Sequence, residues 1–175
     1  MPNWCSNTAT INAPRPVIDE IRNILSDQDQ DSRLLKWMRP IPPDQEKNWY
    51  DWCVANWSTK WDIVNPFIGD DTEEDSITFS FDTAWGPPVE AFRHWAQQDG
   101  RATYRLSFIE EGMMFASWDA YDGEYFDHDI VNHEEEPDRY WEIAQEEFGI
   151  EPEEEPEPLT EWYQQGIKDK GLVNE

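Results

Sequence analysis

From Ser76 to Asp82 the chain reads SITFSFD, with Ile77, Phe79 and Phe81 alternating strictly with Thr78, Ser80 and Asp82. A period of two marks a strand with one face buried and one wet, because successive side chains leave a strand on opposite sides. Weaker versions recur at Ala9 and Ile11, in a strand from about Cys5 to Asn12, and at Tyr104, Leu106 and Phe108. They recur again at Met114, Ala116 and Trp118, with a last short strand over Tyr125 to Ile130. Between them the apolar period lengthens. Val17, Ile21, Ile24 and Leu25 form one stripe of a helix that follows Pro14 and Pro16 and ends near Ser26. Val89, Phe92, Trp95 and Ala96 form a second stripe, stopped at Gly100. Asp70–Asp75, Glu111-Gly112 and Asp122-Gly123 read as turns, and Gln28–Ser32 as a loop. The order is β, α, insertion, β, β, α, β, then a further hairpin strand. It predicts an α+β fold: a ferredoxin-like βαββαβ antiparallel sheet with helices on one face, an extra C-terminal hairpin strand and an acidic helical tail. The corresponding division is a domain over residues 1–132, with a Trp-rich insertion at about 27–58, and an acidic, helical and partly disordered region over 133–175.

The insertion holds the aromatic centre of the chain. NWYDWCVANWSTKWD, from Asn48 to Asp62, carries Trp49, Trp52, Trp57 and Trp61, four of the protein's 11 tryptophans. Leu34, Leu35, Trp37 and Met38 precede it, then Pro40, Pro42 and Pro43, which interrupt regular structure. If Asp44–Trp57 is helical, Trp49, Trp52, Cys53 and Trp57 span an arc of roughly 140°, the width of one buried face. These rings are expected to be core. Trp61 is expected to open a strand, Lys60–Val64, closed by Pro66.

Charge is the outlier. Thirty-nine acids against 13 bases give a net charge of −26. Such a balance repels nucleic acid and anionic membrane and destabilises the compact state by self-repulsion. The partners it favours are cationic. Cys5 and Cys53, the only cysteines, lie too far apart in sequence for a metal-ligand spacing and make no disulfide framework. No run approaches the ~18 apolar residues of a membrane span, and the start MPNWCSNTAT lacks a signal peptide's basic and apolar regions. The expected location is the cytoplasm.

MPNWCSN, WYDWCVANWSTKWD, ITFSFDTAWGPP and FIEEGMMFAS together resemble the YubB ferredoxin-like family of phage- and plasmid-borne proteins. The resemblance covers roughly residues 1–117 and rests most on NWSTKWD followed by FDTAWGPP. It implies a mobile-element origin and the same fold, and it supplies no catalytic residues. "Ferredoxin" there names a fold only, since this chain lacks the cysteines for an iron–sulfur cluster. The matching positions are Asn56, Trp57, Thr59, Lys60, Trp61 and Asp62, with Asp82, Thr83, Ala84 and Trp85. They are either structural pairings or a groove of Trp57, Lys60, Trp61 and Trp85, where an aromatic wall and one cation suit an anionic or planar ligand.

The acids concentrate where that resemblance ends. Glu134–Glu161 holds thirteen acids and one base, Arg139, a local charge of −12. Asp138, Glu142 and Glu146 are spaced to line one side of a helix from about Pro137 to Phe148, with a carboxylate about every 6 Å. Tyr140, Trp141, Ile143, Ala144 and Phe148 are its contact positions, and interspersed aromatics argue for docking rather than disorder. Asp138, Glu142, Glu146, Glu147, Glu153, Glu154 and Glu155 are the expected partner-binding surface.

Asp119, Asp122, Asp127, His128, Asp129 and His133 are the only metal or acid–base constellation, with Asp127, His128, Asp129 and His133 its weak metal candidates. Their spacing fits no calcium loop. No GxSxG, HExxH, P-loop or GxGxxG occurs. The sequence therefore points to a non-enzymatic accessory protein without cofactor. It would bind a basic host protein, one that normally holds nucleic acid, as a nucleic-acid-mimicking inhibitor of a defence or DNA-processing factor. The alternatives are an interaction module using the Trp-rich face and a metal-dependent enzyme. Direct nucleic-acid binding would need a narrow basic face through Lys60, Arg101 and Arg105.

Overall fold

The computed structural model describes residues 3–27, 33–70, 73–100, 102–112 and 114–152. Gln28–Ser32, Arg101 and the acids Glu153, Glu154 and Glu155 lie outside the described residues. The elements in chain order are β1 (Trp4–Asn12), α1 (Arg15–Ser26), α2 (Leu34–Met38), a 3-10 turn (Pro43–Asn48) and α3 (Trp49–Trp57). Then follow β2 (Val64–Ile68), β3 (Ser76–Ala84), α4 (Val89–Asp99), β4 (Thr103–Glu110), β5 (Phe115–Tyr121), β6 (Phe126–Asn132) and α5 (Pro137–Phe148). The strands form one sheet in the order β2-β3-β1-β4-β5-β6, with every neighbouring pair antiparallel. The protein is thus an α+β fold on a six-stranded antiparallel sheet.

Alternation along the strands makes two cores. Ile77, Phe79 and Phe81 of β3 lie opposite Ile11, Ala9 and Asn7 of β1. Tyr104, Leu106 and Phe108 of β4 continue the same face, and Ile18, Ile21 and Leu25 of α1 and Phe92, Trp95 and Ala96 of α4 cover it. α2 and α3 join this core through Leu34, Leu35, Cys53 and Trp57. Ile109, one residue past Phe108, points the other way. It aligns with Ala116 of β5 and Val131 of β6, and Tyr140 and Ala144 of α5 bury all three. Helices α1 to α4 therefore pack into the core on one face, and α5 lies on the opposite face, because β4, β5 and β6 carry apolar side chains on both sides.

Local chemistry sets α5's ends. Proline occupies its first turn, where a missing N–H costs nothing. Gly149, at φ 66°, ends it in a left-handed cap. The amide of Gly149 donates to Gln145, the αL form of helix closure, and that of Ile150 donates to Ala144, with Ile150 packed against the second core.

Two sequence expectations change. The strand expected over Lys60–Val64 runs instead from Val64 to Ile68, with Pro66 inside it. β2 is an edge strand with a bulge between Val64 and Phe67, so the missing proline N–H breaks no essential ladder bond. On α3 only Cys53 and Trp57 are buried, and Trp49 is 43% exposed. The buried arc is narrower than the tryptophan spacing implies.

The second core is small and separate, so truncating it should act locally. Tyr140→Ala should cost about 3 kcal/mol. Amide exchange should speed up across α5 while β1 and β3 stay protected.

Candidate functional site

The residues of NWSTKWD and FDTAWGPP are one hydrogen-bonded unit. Asn7 is buried between β1 and β3, and its Nδ2 donates to the Cys5 carbonyl (2.8 Å) and to Thr83 Oγ1 (2.9 Å). Thr83 donates to the Gly86 carbonyl at 2.8 Å, and Thr59 to the Ala84 carbonyl at 2.9 Å. The loop after β3 is thereby tied to the loop after α3. Both turn through left-handed residues, Ser58 at φ 67° and Trp85 at φ 72°, a conformation that costs a non-glycine residue of order 1 kcal/mol or more. Asp62 does not pair across the sheet. It accepts the backbone N–H groups of Leu35 (2.9 Å), Lys36 (3.0 Å) and Ile63 (2.9 Å), fixing the start of α2.

This frame gathers aromatic rings around one cation. The Lys60 ammonium lies 4.7 Å from the ring centre of Trp61, 5.1 Å from Trp85 and 5.7 Å from Tyr50. All three are within cation–π range. Trp4 packs beside Trp61 at 6.3 Å, and a cavity of about 420 Å³ opens between them and Asp62, Ile63 and Val64. Of the expected groove, Lys60, Trp61 and Trp85 do converge. Trp57 does not: it is 3% exposed, and its indole N–H donates to the Arg39 carbonyl inside the core. Tyr50 and Trp4 were not foreseen. The signal for Tyr50 was weak: it falls just outside the arc spanned by Trp49, Trp52, Cys53 and Trp57.

The Asp119–His133 constellation is taken apart by the strands that carry it. Asp119 is 1% exposed and faces the main core, where both Nε and a terminal nitrogen of Arg93 and the Tyr104 hydroxyl (2.5 Å) bind its carboxylate. Burial and this carboxylate push the Tyr104 phenol up, and the same partner raises the Arg93 guanidinium against its own desolvation. Asp122 closes the β5–β6 turn by accepting the amides of Glu124 and Tyr125. Those two bonds hold its carboxyl below the usual range. Along β6, Asp127 and Asp129 share the face of Val131, whereas His128 leaves on the opposite face. Asp129 pairs with Arg139, and His133 stacks edge-on against Tyr140 and Trp141. The expected grouping of Asp127, His128, Asp129 and His133 is therefore not formed. Among the described residues no group of three or more His, Cys, Asp or Glu is placed to hold a metal ion.

The acidic helix is where the sequence placed it. Asp138, Glu142 and Glu146 are exposed along α5 while Tyr140 and Ala144 are buried beneath them. Glu147 turns back to the sheet instead, accepting from Arg105 (2.9 Å) and Ser107 (2.9 Å). Arg105 also lies 4.9 Å over the ring of Trp118. Glu147 and Arg105 are thus engaged with each other.

No family model and no curated protein matches the chain. Among solved structures it is similar to the crystal structure of a protein api92 from Yersinia pseudotuberculosis, described with the family model DUF1281. The likeness has a TM-score of 0.51 at 11% identity, over 75% of this chain and 99% of that one. At that identity it speaks for the fold alone. Among the described residues no helix is long and apolar enough to cross a membrane.

Burial pushes the Asp62 carboxyl up to about 6, against the three backbone N–H groups that hold it down. A carboxyl raised in the native state binds its proton more tightly there than in the unfolded chain. Its contribution to stability therefore rises as pH falls from about 6 towards about 4. Urea unfolding at both ends of that window should show native protein gaining stability relative to Asp62→Asn on acidification. A constant difference would contradict this account of Asp62.

Proposed function

We propose that the protein is a non-enzymatic, acidic accessory protein that binds a basic host protein through the exposed side of α5, occupying a surface that otherwise holds nucleic acid. The observation that carries this reading is the display of charge on a docked helix. Asp138, Glu142 and Glu146 stand outward on a scaffold fixed by Tyr140 and Ala144. A solvating tail needs no such anchoring. Carboxylates about 6 Å apart are sparser than the phosphates of one DNA strand, spaced ~3.4 Å along the axis. Exposed Glu134, Glu135 and Glu136 at the head of the helix thicken the field. A protein that meets phosphates with lysine and arginine would accept this surface on electrostatic grounds.

The same reading takes the inner strands β4-β1-β3-β2, all antiparallel and crossed by α1 and α4, as a ferredoxin-like βαββαβ core extended by β5 and β6. It takes the chain as a cytoplasmic relative of the YubB family, on the motifs now seen to be mutually bonded.

A second reading has its own support. Trp4, Trp49, Tyr50 and Trp85 are each 40–43% exposed, and large exposed rings gathered at one place mark interaction surfaces.

Capture from bacterial lysate separates the two. The intact protein should retain basic nucleic-acid-binding proteins that salt releases and added duplex DNA displaces. The variant Asp138→Asn/Glu142→Gln/Glu146→Gln should lose them by tenfold or more in affinity, roughly 1.4 kcal/mol. Equal retention by that variant, with loss on Trp85→Ala, would move the function to the aromatic face.

A further inference from the structure

The two edges of the sheet are treated differently. β2 is five residues long, with a bulge, Pro66 and a left-handed Asn65 at φ 52°, devices that keep an edge from pairing with another strand. β6 is seven residues long and keeps unbroken register with β5 from Phe126 to Asn132. Its free groups follow from two bonds at its ends. The His133 amide donates to the Met114 carbonyl (2.9 Å), and the Asp122 amide to the Tyr125 carbonyl (3.3 Å). Antiparallel pairing alternates, so Tyr125, Asp127, Asp129, Val131 and His133 direct their backbone groups to β5. Phe126, His128, Ile130 and Asn132 direct theirs outward. The Asn132 carbonyl confirms the phase, since it accepts the amides of Glu135 and Glu136 from the turn beyond. Phe126, His128 and Ile130 thus present N–H and C=O groups along an edge where the sheet of described residues ends.

The two flanks of that edge differ in chemistry. On the α4 side a cavity of about 300 Å³ is walled by Pro87, Val89, Phe108 and Ile130, with Arg93, Asp119, His128 and Asp129 as polar groups in its lining. Ile130 is 66% exposed there. The Arg93 charge is already matched by Asp119, so the cavity favours an apolar side chain. On the α5 side stands exposed Asp127, with Asp129 already paired to Arg139 and with Glu134 and Glu135 exposed just past the strand.

We propose that β6 is a docking edge for an extended basic segment of a partner protein, added as a seventh strand. Its alternate side chains are apolar, toward the Pro87–Val89–Ile130 cavity, and lysine or arginine, toward Asp127 and the exposed Glu134 and Glu135 beside it. The edge acids explain both halves of the behaviour. They repel a second copy of the same acidic edge, and they attract a basic strand. Main-chain bonds supply affinity in this mode and the alternating side chains supply selectivity. The inference rests on the proposed basic partner and adds where and in what conformation it binds.

The probe is a capped peptide of about seven residues alternating lysine and valine, beside one of the same composition with the lysines in a block. Both are titrated into the full chain with amide exchange read residue by residue. The alternating peptide should bind at least tenfold tighter than the block peptide. It should slow exchange at His128 and Ile130 while leaving Asp127 and Asp129, already bonded to β5, unchanged. Ile130→Lys, an exposed substitution that keeps the strand's backbone, should abolish that preference, and Ile130→Pro, which deletes an outward N–H, should abolish the protection. Equal, salt-sensitive binding of both peptides without protection at His128 and Ile130 overturns the edge and leaves the acidic-surface reading standing. Binding of neither peptide overturns the edge as well. Protection of those two amides before any peptide is added also overturns it, because the edge would then be covered by the chain itself or by a second copy.

Discussion

The second face of the sheet has to be covered over β4, β5 and β6, because Ile109, Ala116 and Val131 all point into it. An antiparallel sheet can leave one face wet when that face is polar, and over β1 and β3 it does so with Ser6, Thr8, Thr10, Thr78 and Ser80. Beyond β4 it cannot. α5 answers the need with Tyr140 and Ala144, and the Tyr140 ring is further held by edge contacts from His133 and Trp141. Once that stripe is down, the helical period leaves no freedom for the rest. Asp138, Glu142 and Glu146 must face water. The charge of this region is consequently arranged in space, at the expense of concentrating like charges that repel one another.

The same covering defines what remains open. α5 lies across the face of β5 and β6 and, among the described residues, the far backbone of β6 is left unpaired, with carboxylates on one flank and a largely apolar cavity on the other. Over β1 and β3, left-handed Ser58 and Trp85 and the Asn7–Thr83 bonds hold rings around Lys60. Ser58 and Pro87 of that frame also line the cavity beside β6.

Much of this was legible in the sequence, and the exceptions share a cause. β3 and α5 could be read outright, because strict alternation and the Pro137 and Gly149 signals are local. β2 could not. Its start is set by Asp62, whose carboxylate is committed to the amides of α2, a contact between residues 26 and 27 apart. Trp57 looked like a groove residue because its neighbours Lys60 and Trp61 are, yet its indole N–H is bound to Arg39 in the core. The Asp119–His133 cluster failed for the plainest reason. Residues adjacent along a strand leave it on opposite sides, so His128 cannot join Asp127 and Asp129. The partner that explains Asp119, Arg93, lies on a helix that no local pattern connects to β5.

The account stands on charge held in place rather than charge alone, and one substitution separates them. Tyr140→Ala leaves the net charge at −26 while removing the anchor of α5. Its affinity for a basic protein captured by the intact chain should be measured by calorimetry beside that of the unaltered protein. A loss of about tenfold or more, roughly 1.4 kcal/mol, is the predicted result. Unchanged affinity would contradict the account, because the acids would then act as a charged polymer whose attachment to the sheet is irrelevant.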